Sequence, residues 1–211
     1  MNLFYDMPLF RPPSEGDNLI IQATLGCSFN QCSFCAMYRS KHYIERLLDA
    51  VIADIRQAAA DWPDAHRVFL ADGDALALPT EHLLAILREL AAALPRLTRV
   101  SCYATPGNLQ RKSAAELALL REHKLNLLYF GIESGSDLIL KMPDDLAILQ
   151  EQERLISGLN PPHPIIFRSN HASNALALAG NLPKDKEKLL LQLREAMAGI
   201  RPLRPFFMRG L

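Results

Sequence analysis

Alternation of strand-like and helix-like segments is the feature that most constrains the fold of this 211-residue chain. Short apolar, β-branched segments predict strands, and the segments between them repeat apolar residues at helical spacing. In chain order the predicted elements are 18–24, 43–60, 67–71, 80–94, 98–104, 113–124 and 126–131. Such alternation favours an α/β fold, a partial TIM-type (βα) barrel with a parallel sheet and functional loops at the carboxyl ends of its strands.

Two of the helix starts carry capping signals. We expect Thr80 to cap the helix that begins there, and Ser113 with Glu116 matches the capping box that opens many helices. These signals predict where each of the two helices begins after the strand that precedes it.

Three cysteines lie within nine residues directly after the first predicted strand, where Gly26 permits a sharp turn. They are Cys27, Cys32 and Cys35. Thiolates are soft ligands that favour iron–sulfur clusters, zinc and cuprous copper, and the short spacing lets one loop place its sulfurs around one face of a metal centre. Because no fourth cysteine is near them in the sequence, a cluster with one open iron suits the loop best.

The spacing alone does not choose the metal. Structural zinc needs a fourth ligand, for which His42, Cys102 and His171 are the candidates. Plant-type ferredoxins share the four-then-two spacing, but here Cys102 lies in a different βα unit and is better interpreted as a small buried apolar residue. Disulfide bonds are disfavoured because the chain is long enough to bury a core of its own.

Composition limits the class of protein and its surroundings. Half of the residues are hydrophobic (49%), and 23 basic residues balance 23 acidic ones, so we expect a folded domain without a nucleic-acid patch or a membrane-binding surface. The N-terminus lacks the pattern of a signal peptide, and no apolar run approaches the ~18 residues of a membrane span. We expect a reducing cytoplasm, where clustered cysteines are ligands or redox groups.

Polar residues and glycines follow each predicted strand. The four segments are Gly26-Cys27, Asp72-Gly73-Asp74, 105–108 and 131–136. Because the carboxyl ends of parallel strands meet at one edge of a sheet, we expect these segments to converge on one mouth. Asp72 and Asp74 either cap the following turn or face a ligand, and the sequence leaves both interpretations open. Glu133, among apolar residues and glycines, needs a partner or a ligand if it is buried.

The cysteine loop and the strand ends together resemble the radical S-adenosylmethionine (radical SAM) superfamily over about residues 19–142, and segment 167–174 resembles the tail of a little-characterised branch. In that superfamily three thiolates hold a [4Fe-4S] cluster, and S-adenosylmethionine chelates the fourth iron through its amino and carboxylate groups. The resemblance therefore implies that Cys27, Cys32 and Cys35 are cluster ligands. It also implies reductive cleavage to a 5′-deoxyadenosyl radical that acts on an unidentified substrate, with a flavodoxin or ferredoxin as electron donor.

The same resemblance implies residues that contact S-adenosylmethionine. Phe34 stands where the family has an aromatic residue near the adenine. Segment 72–74 looks like the family's Gly-Gly-Glu-Pro counterpart, which receives the methionine amine, as a charge-assisted hydrogen bond would favour. Glu133 and Ser134 match the polar residues that meet the ribose.

The chain departs from the family pattern in two ways. Four residues rather than three separate Cys27 from Cys32, a known minor variant. Family barrels have six strands, and the chain after Lys141 is too short for two more βα units of ~30 residues each. We therefore expect a barrel shortened near Met142, with an open sheet edge that a second chain can cover. The shortening also favours an alternative, a non-catalytic remnant that keeps the cluster for structure or electron transfer.

The expected organisation is an N-terminal extension at 1–17, a core at 18–142 and a C-terminal segment at 143–211. Within the last we predict a helix at 144–159, a strand at 164–168 and a final amphipathic helix at 184–198. The polar cluster Arg168-Ser169-Asn170-His171 is interpreted as a structural hydrogen-bond network. A contact of His171 with substrate, or proton donation by it, is the alternative.

Overall fold

The structure is a computed structural model that describes residues 3–31, 35, 37–131, 144–170 and 174–209. The chain forms two compact units, Met1–Glu133 and Ser134–Leu211. The predicted boundary at residue 142 lies outside the described residues. In the described part of the chain, no helix is both long and apolar enough to cross a membrane.

A parallel four-stranded sheet is the centre of the first unit. Its strands, in spatial order, are β1 (Leu19–Gln22), β4 (Arg67–Ala71), β5 (Arg99–Ala104) and β6 (Leu125–Phe130). Leu19 pairs with Val68, and Val68 with Val100, so neighbouring strands are in parallel register. This α/β arrangement confirms the predicted fold class of a partial (βα) barrel, and each strand lies within two residues of its predicted position.

Four helices accompany these strands: α1 (Leu48–Asp61), α2 (Thr80–Ala93), α3 (Pro106–Gln110) and α4 (Ala114–Glu122). Residues such as Ile55 of α1, Leu87 of α2 and Leu120 of α4 share one buried core with alternate strand residues. Side chains on a strand alternate between its faces, so this core uses one face of the sheet. Leu70 and Cys102 belong to that face.

One predicted helix start and one predicted helix cap were wrong. The first helix begins at Leu48 rather than at 43, because Ile44–Glu45 (β3) pairs antiparallel with Thr24–Leu25 (β2) as the chain returns from the cysteines. Thr80 is the first residue of α2 and makes no cap, since its hydroxyl donates to Glu116 Oε1 at 2.6 Å. The capping box of Ser113 and Glu116 is confirmed.

The N-terminal extension covers the other face of the sheet. Tyr5 and Leu9 pack against Ile20, Phe69 and Ala71. The Tyr5 hydroxyl donates to the Ile20 carbonyl at 3.0 Å. In a closed barrel this face is the interior, so the extension occupies space that further strands would enclose.

The described residues of the second unit form an antiparallel hairpin, two α-helices and a short 3-10 helix at Phe206–Met208. The strands are β7 (Ile165–Ser169) and β8 (Leu178–Leu182), and the helices are α5 (Asp145–Gly158) and α6 (Lys186–Met197). They share a core of their own that includes Leu149, Phe167 and Leu193. The sequence did not predict β8, because its Gly180 and Asn181 disfavour strands.

Part of the polar cluster in the second unit is a hydrogen-bond network. The Ser169 hydroxyl accepts from Gln152 Nε2 at 2.8 Å and from Asn174 Nδ2 at 3.0 Å. Arg168 and Asn170 are exposed, and His171 lies outside the described residues. The structural interpretation therefore holds for Ser169, and the role of His171 stays open.

Candidate functional site

Three strand ends of the first unit meet at the carboxylate of Asp74. Asp74 follows β4 and is fully buried. Its Oδ2 accepts from the backbone N–H of Ser28 at 3.3 Å and from the Ser28 hydroxyl, and its Oδ1 accepts from Asn108 Nδ2. Ser28 follows Cys27, and Asn108 lies in α3 just after β5. The predicted convergence is thus confirmed for three strand ends, and the fourth lies largely outside the described residues.

The Asp72 carboxylate closes the neck of the cysteine loop, which we define as residues 26–41. Asp72 is fully buried, and its Oδ2 accepts from the Gly26 backbone N–H at 3.2 Å and from Lys41 Nζ at 2.8 Å. Gly26 begins the loop and Lys41 ends it, so one oxygen atom binds both ends. The Tyr38 hydroxyl also lies close to the Asp72 carboxylate: burial, and then this carboxylate, raise the pKa of Tyr38.

Glycines allow the cysteine loop to approach its neighbours closely. Gly26 has a φ of +68°, and a Cβ there would lie 2.8 Å from the His42 carbonyl oxygen, so a larger residue is excluded. A Cβ on Gly73 would lie 2.6 Å from the Tyr38 ring. Asn30 Nδ2 donates to the carbonyls of Tyr38 at 2.9 Å and Lys41 at 3.2 Å, which ties the middle of the loop to its end.

The loop carries the predicted cluster ligands. Cys27 and Cys35 are free thiols and half-buried, and the Cys35 carbonyl accepts from Arg39 Nε at 3.1 Å. Cys32 and Phe34 lie outside the described residues, as do Glu133 and Ser134. Within the ranges that the structure describes, which omit Cys32, no three His, Cys, Asp or Glu side chains group as a metal site.

Cys102 does not have the character of a metal ligand. It is fully buried on the face of β5 that packs against the helices, as expected for a small apolar residue. Burial, and then the Asp74 carboxylate, raise the pKa of the Cys102 thiol to about 12. Since metals bind the thiolate, a thiol held protonated is a poor fourth ligand for zinc or iron.

The two aspartates differ in electrostatic surroundings. Burial alone would lower the pKa of Lys41, but the carboxylates of Asp72 and Asp6 outweigh it and raise that pKa, so Lys41 stays charged and neutralises Asp72. Asp74 receives hydrogen bonds from neutral donors, and no salt bridge to it is found in the described part of the chain. A buried carboxylate without a cation is costly unless a ligand supplies one.

The contacts of Asp74 bear on whether this residue caps the following turn. Asp74 precedes a 3-10 helix at Ala75–Ala77, yet its side chain makes no capping bond there. The Asp74 carboxylate, bonded only to neutral donors, suits a ligand that donates from an ammonium group. This acceptor therefore fits the amine of the methionine part of S-adenosylmethionine.

Sequence reasoning missed three residues of this arrangement: Ser28, Lys41 and Asn108. Asn108 belongs to segment 105–108, and its position directly after a predicted strand was the one feature of the sequence that pointed to the site. Ser28 and Lys41 had no signal beyond their nearness to the cysteines, because their partners lie 46 and 31 residues away in the chain.

Comparison with known proteins was made at the level of families and of individual proteins. Residues 21–146, more than half of the chain, match the family model of the Radical SAM superfamily. No curated protein matches the chain. The matched segment contains the cysteine loop, both aspartates and Asn108. The chain therefore belongs to the radical SAM superfamily.

Proposed function

We propose that this chain is a radical SAM enzyme that binds a [4Fe-4S] cluster and S-adenosylmethionine and acts on a substrate not yet identified. The observation that carries the proposal is the contact of buried Asp74 with the cysteine loop at Ser28, because it brings a carboxylate without a cation to the loop that bears the thiolates.

Cys27, Cys32 and Cys35 would hold the cluster through their thiolates. When bound, the cluster and S-adenosylmethionine supply reductive cleavage of the sulfonium to a 5′-deoxyadenosyl radical for hydrogen abstraction. The protein's task is to hold both groups in place and to exclude water. Phe69 and Ala71, which are fully buried on the inner face of the sheet, contribute to that exclusion.

Asp74 would accept a hydrogen bond from the methionine amine. Its carboxylate has about four acceptor positions, and its three hydrogen bonds with Ser28 and Asn108 leave capacity for one more donor. Those contacts also hold the carboxylate in one orientation. Gly73 supports the site by letting the strand end approach Tyr38.

The remaining cofactor contacts rest on the family resemblance. We propose Phe34 beside the adenine and Glu133 with Ser134 at the ribose. The electron donor would be a flavodoxin or a ferredoxin, and reducing cytoplasm is the compartment that suits an oxygen-sensitive cluster.

Anaerobic reconstitution with iron and sulfide, followed by EPR of the reduced protein, tests the proposal. We expect a [4Fe-4S] signal that changes when S-adenosylmethionine is added, with 5′-deoxyadenosine formed in parallel. A reconstituted protein that binds no iron and holds only zinc would contradict it and favour a structural zinc domain.

A second candidate function is a non-catalytic iron–sulfur protein. The packing of Tyr5 and Leu9 on the inner face of the sheet favours it, because that face is where a closed barrel encloses its substrate. This candidate predicts a cluster whose EPR signal does not respond to S-adenosylmethionine, and no 5′-deoxyadenosine at any concentration of reductant.

A further inference from the structure

Lys41 is a buried cation whose acceptors come from two distant parts of the first unit. Its side chain is 6% exposed. Nζ lies 2.8 Å from Asp72 Oδ2 at the end of β4, and 2.9 Å from Asp6 Oδ1 and 2.7 Å from the Asp6 carbonyl in the N-terminal extension. A buried ammonium with this many acceptors has a fixed position.

The pair of Lys41 and Asp72 closes a loop of the chain. All three cysteines lie between Gly26 and Lys41, and both of these residues bind the same oxygen of Asp72. Closing a loop removes conformations in which its ends lie apart. Closure of the loop therefore restricts where Cys27 and Cys35 can lie before any metal binds.

We infer that Lys41 is a positioning residue, which clasps the cysteine loop through Asp72 and leaves Asp74 as the strand-end carboxylate available to an ammonium ligand. The two aspartates, two residues apart, thus have different tasks. The inference rests on the proposed function only in taking the three thiolates as cluster ligands.

Removing only Lys41 should accelerate thiol labelling of the loop more than removing Lys41 and the charge of Asp72 together. Lys41→Met leaves the Asp72 carboxylate buried without a cation, while Asp72→Asn leaves Lys41 with Asp6 as its one carboxylate. The double variant removes both charges and keeps a similar volume, so no isolated charge remains on Asp72. Coupling between the two changes is the signature of a direct clasp.

The test is thiol labelling of the metal-free, reduced protein under anaerobic conditions. N-ethylmaleimide would be added, and the modified fraction of each cysteine followed by mass spectrometry over time. We expect Lys41→Met to accelerate labelling of Cys27 and Cys35 by about tenfold, since local opening becomes easier. Fully buried Cys102 reports opening of the whole core and should stay protected.

Matched variants make the result specific. Lys124→Met removes another lysine of the same unit, whose Nζ donates to the Leu97 carbonyl at 2.5 Å, and should leave the labelling rates of the loop unchanged. Asp6→Asn keeps the pair of Lys41 and Asp72 and should have a smaller effect than Lys41→Met. The Lys41→Met/Asp72→Asn protein should label more slowly than Lys41→Met alone.

Unchanged labelling of Cys27 and Cys35 in Lys41→Met would overturn the inference. So would labelling of Cys102 at a rate that rises in step with the loop cysteines, because Lys41 would then support the whole core. The measurement contains neither iron nor S-adenosylmethionine. If the wild type forms no 5′-deoxyadenosine while Lys41→Met loosens the loop, the proposed function fails and the clasp stands.

Discussion

Two buried carboxylate networks of the first unit, around Glu15 and around Asp74, differ in whether a cation neutralises the carboxylate. Glu15, fully buried, has both oxygens bonded: Oε1 to Arg99 Nη2 at 3.0 Å and to the Tyr129 hydroxyl at 2.5 Å, and Oε2 to Asn18. Asp74 is equally buried and also has both oxygens bonded, but only to neutral donors, and no salt bridge to it is found among the described residues.

This difference separates a carboxylate that stabilises the fold from one that can bind a ligand. Glu15 anchors the N-terminal extension near the amino end of β5, and the Arg99 guanidinium neutralises its charge. Asp74, at the carboxyl end of β4, is bonded only to neutral donors, and a ligand can supply the cation that this buried carboxylate lacks. The comparison predicts that changes in the first network alter stability, and that changes around the second alter cofactor binding.

The largest expected effect is loss of bound iron from the cysteine loop beside Asp74. Cys35→Ala should remove nearly all bound iron after anaerobic reconstitution, because two thiolates do not hold the cluster. Iron and sulfide per chain, measured chemically, check this. Cys102→Ala is the matched control and should keep its iron, since that thiol is buried away from the loop; loss of iron in it would contradict the assignment of ligands.

Asp74→Asn tests whether the Asp74 carboxylate contributes to binding of S-adenosylmethionine. The amide keeps the size of the side chain and removes its charge, so binding of S-adenosylmethionine to the reconstituted protein should weaken by about tenfold to hundredfold, as expected for one charge-assisted hydrogen bond. Equilibrium dialysis with labelled cofactor measures the affinity. Unchanged affinity with normal iron content would remove Asp74 from the site.

Glu15→Gln tests whether the Glu15 carboxylate stabilises the fold. The substitution leaves the Arg99 guanidinium, 26% exposed, beside an uncharged amide, and we expect the free energy of unfolding to fall by about 2 kcal/mol with cofactor affinity unchanged. Urea denaturation followed by circular dichroism measures it. Asp64→Asn breaks an equally short pair with Arg96, at 3.0 Å, that is 70–82% exposed, and should cost less than about 1 kcal/mol. Equal losses in the two variants would contradict the role of burial.

Local features of this chain were predictable, and long-range pairings were not. The strand at Arg67–Ala71, the capping box of Ser113 and Glu116 and the burial of Cys102 follow from neighbours a few residues away or from side-chain type. The convergence of strand ends followed from the rule for parallel sheets.

The buried ion pairs of the first unit depend on where the whole chain places distant residues. Glu15 meets Arg99 across 84 positions and Lys41 meets Asp72 across 31, and no periodicity or motif relates such residues. For the same reason the packing of the N-terminal extension on the sheet was not predicted. Charged residues such as Glu15 and Lys41 are exposed by default, so composition argued against their burial.

The smallest expected effect on stability is at Glu116, a surface carboxylate whose two oxygens accept hydrogen bonds. The hydroxyl of Thr80, and then the backbone N–H and hydroxyl of Ser113, lower the pKa of Glu116 to about 2 from its ordinary 4.5. A carboxyl whose pKa is lower in the folded than in the unfolded protein stabilises the fold above the unfolded pKa, and this contribution is lost as the pH falls from about 4.5 towards 2. We expect Glu116→Gln to be slightly less stable than the wild type at pH 7 and equally stable near pH 2, as measured by urea denaturation across this range. A difference that stays constant with pH would mean that Glu116 acts through packing, and Glu15 alone would then support the distinction between carboxylates that stabilise the fold and the carboxylate of Asp74, which lacks a cation and binds a ligand.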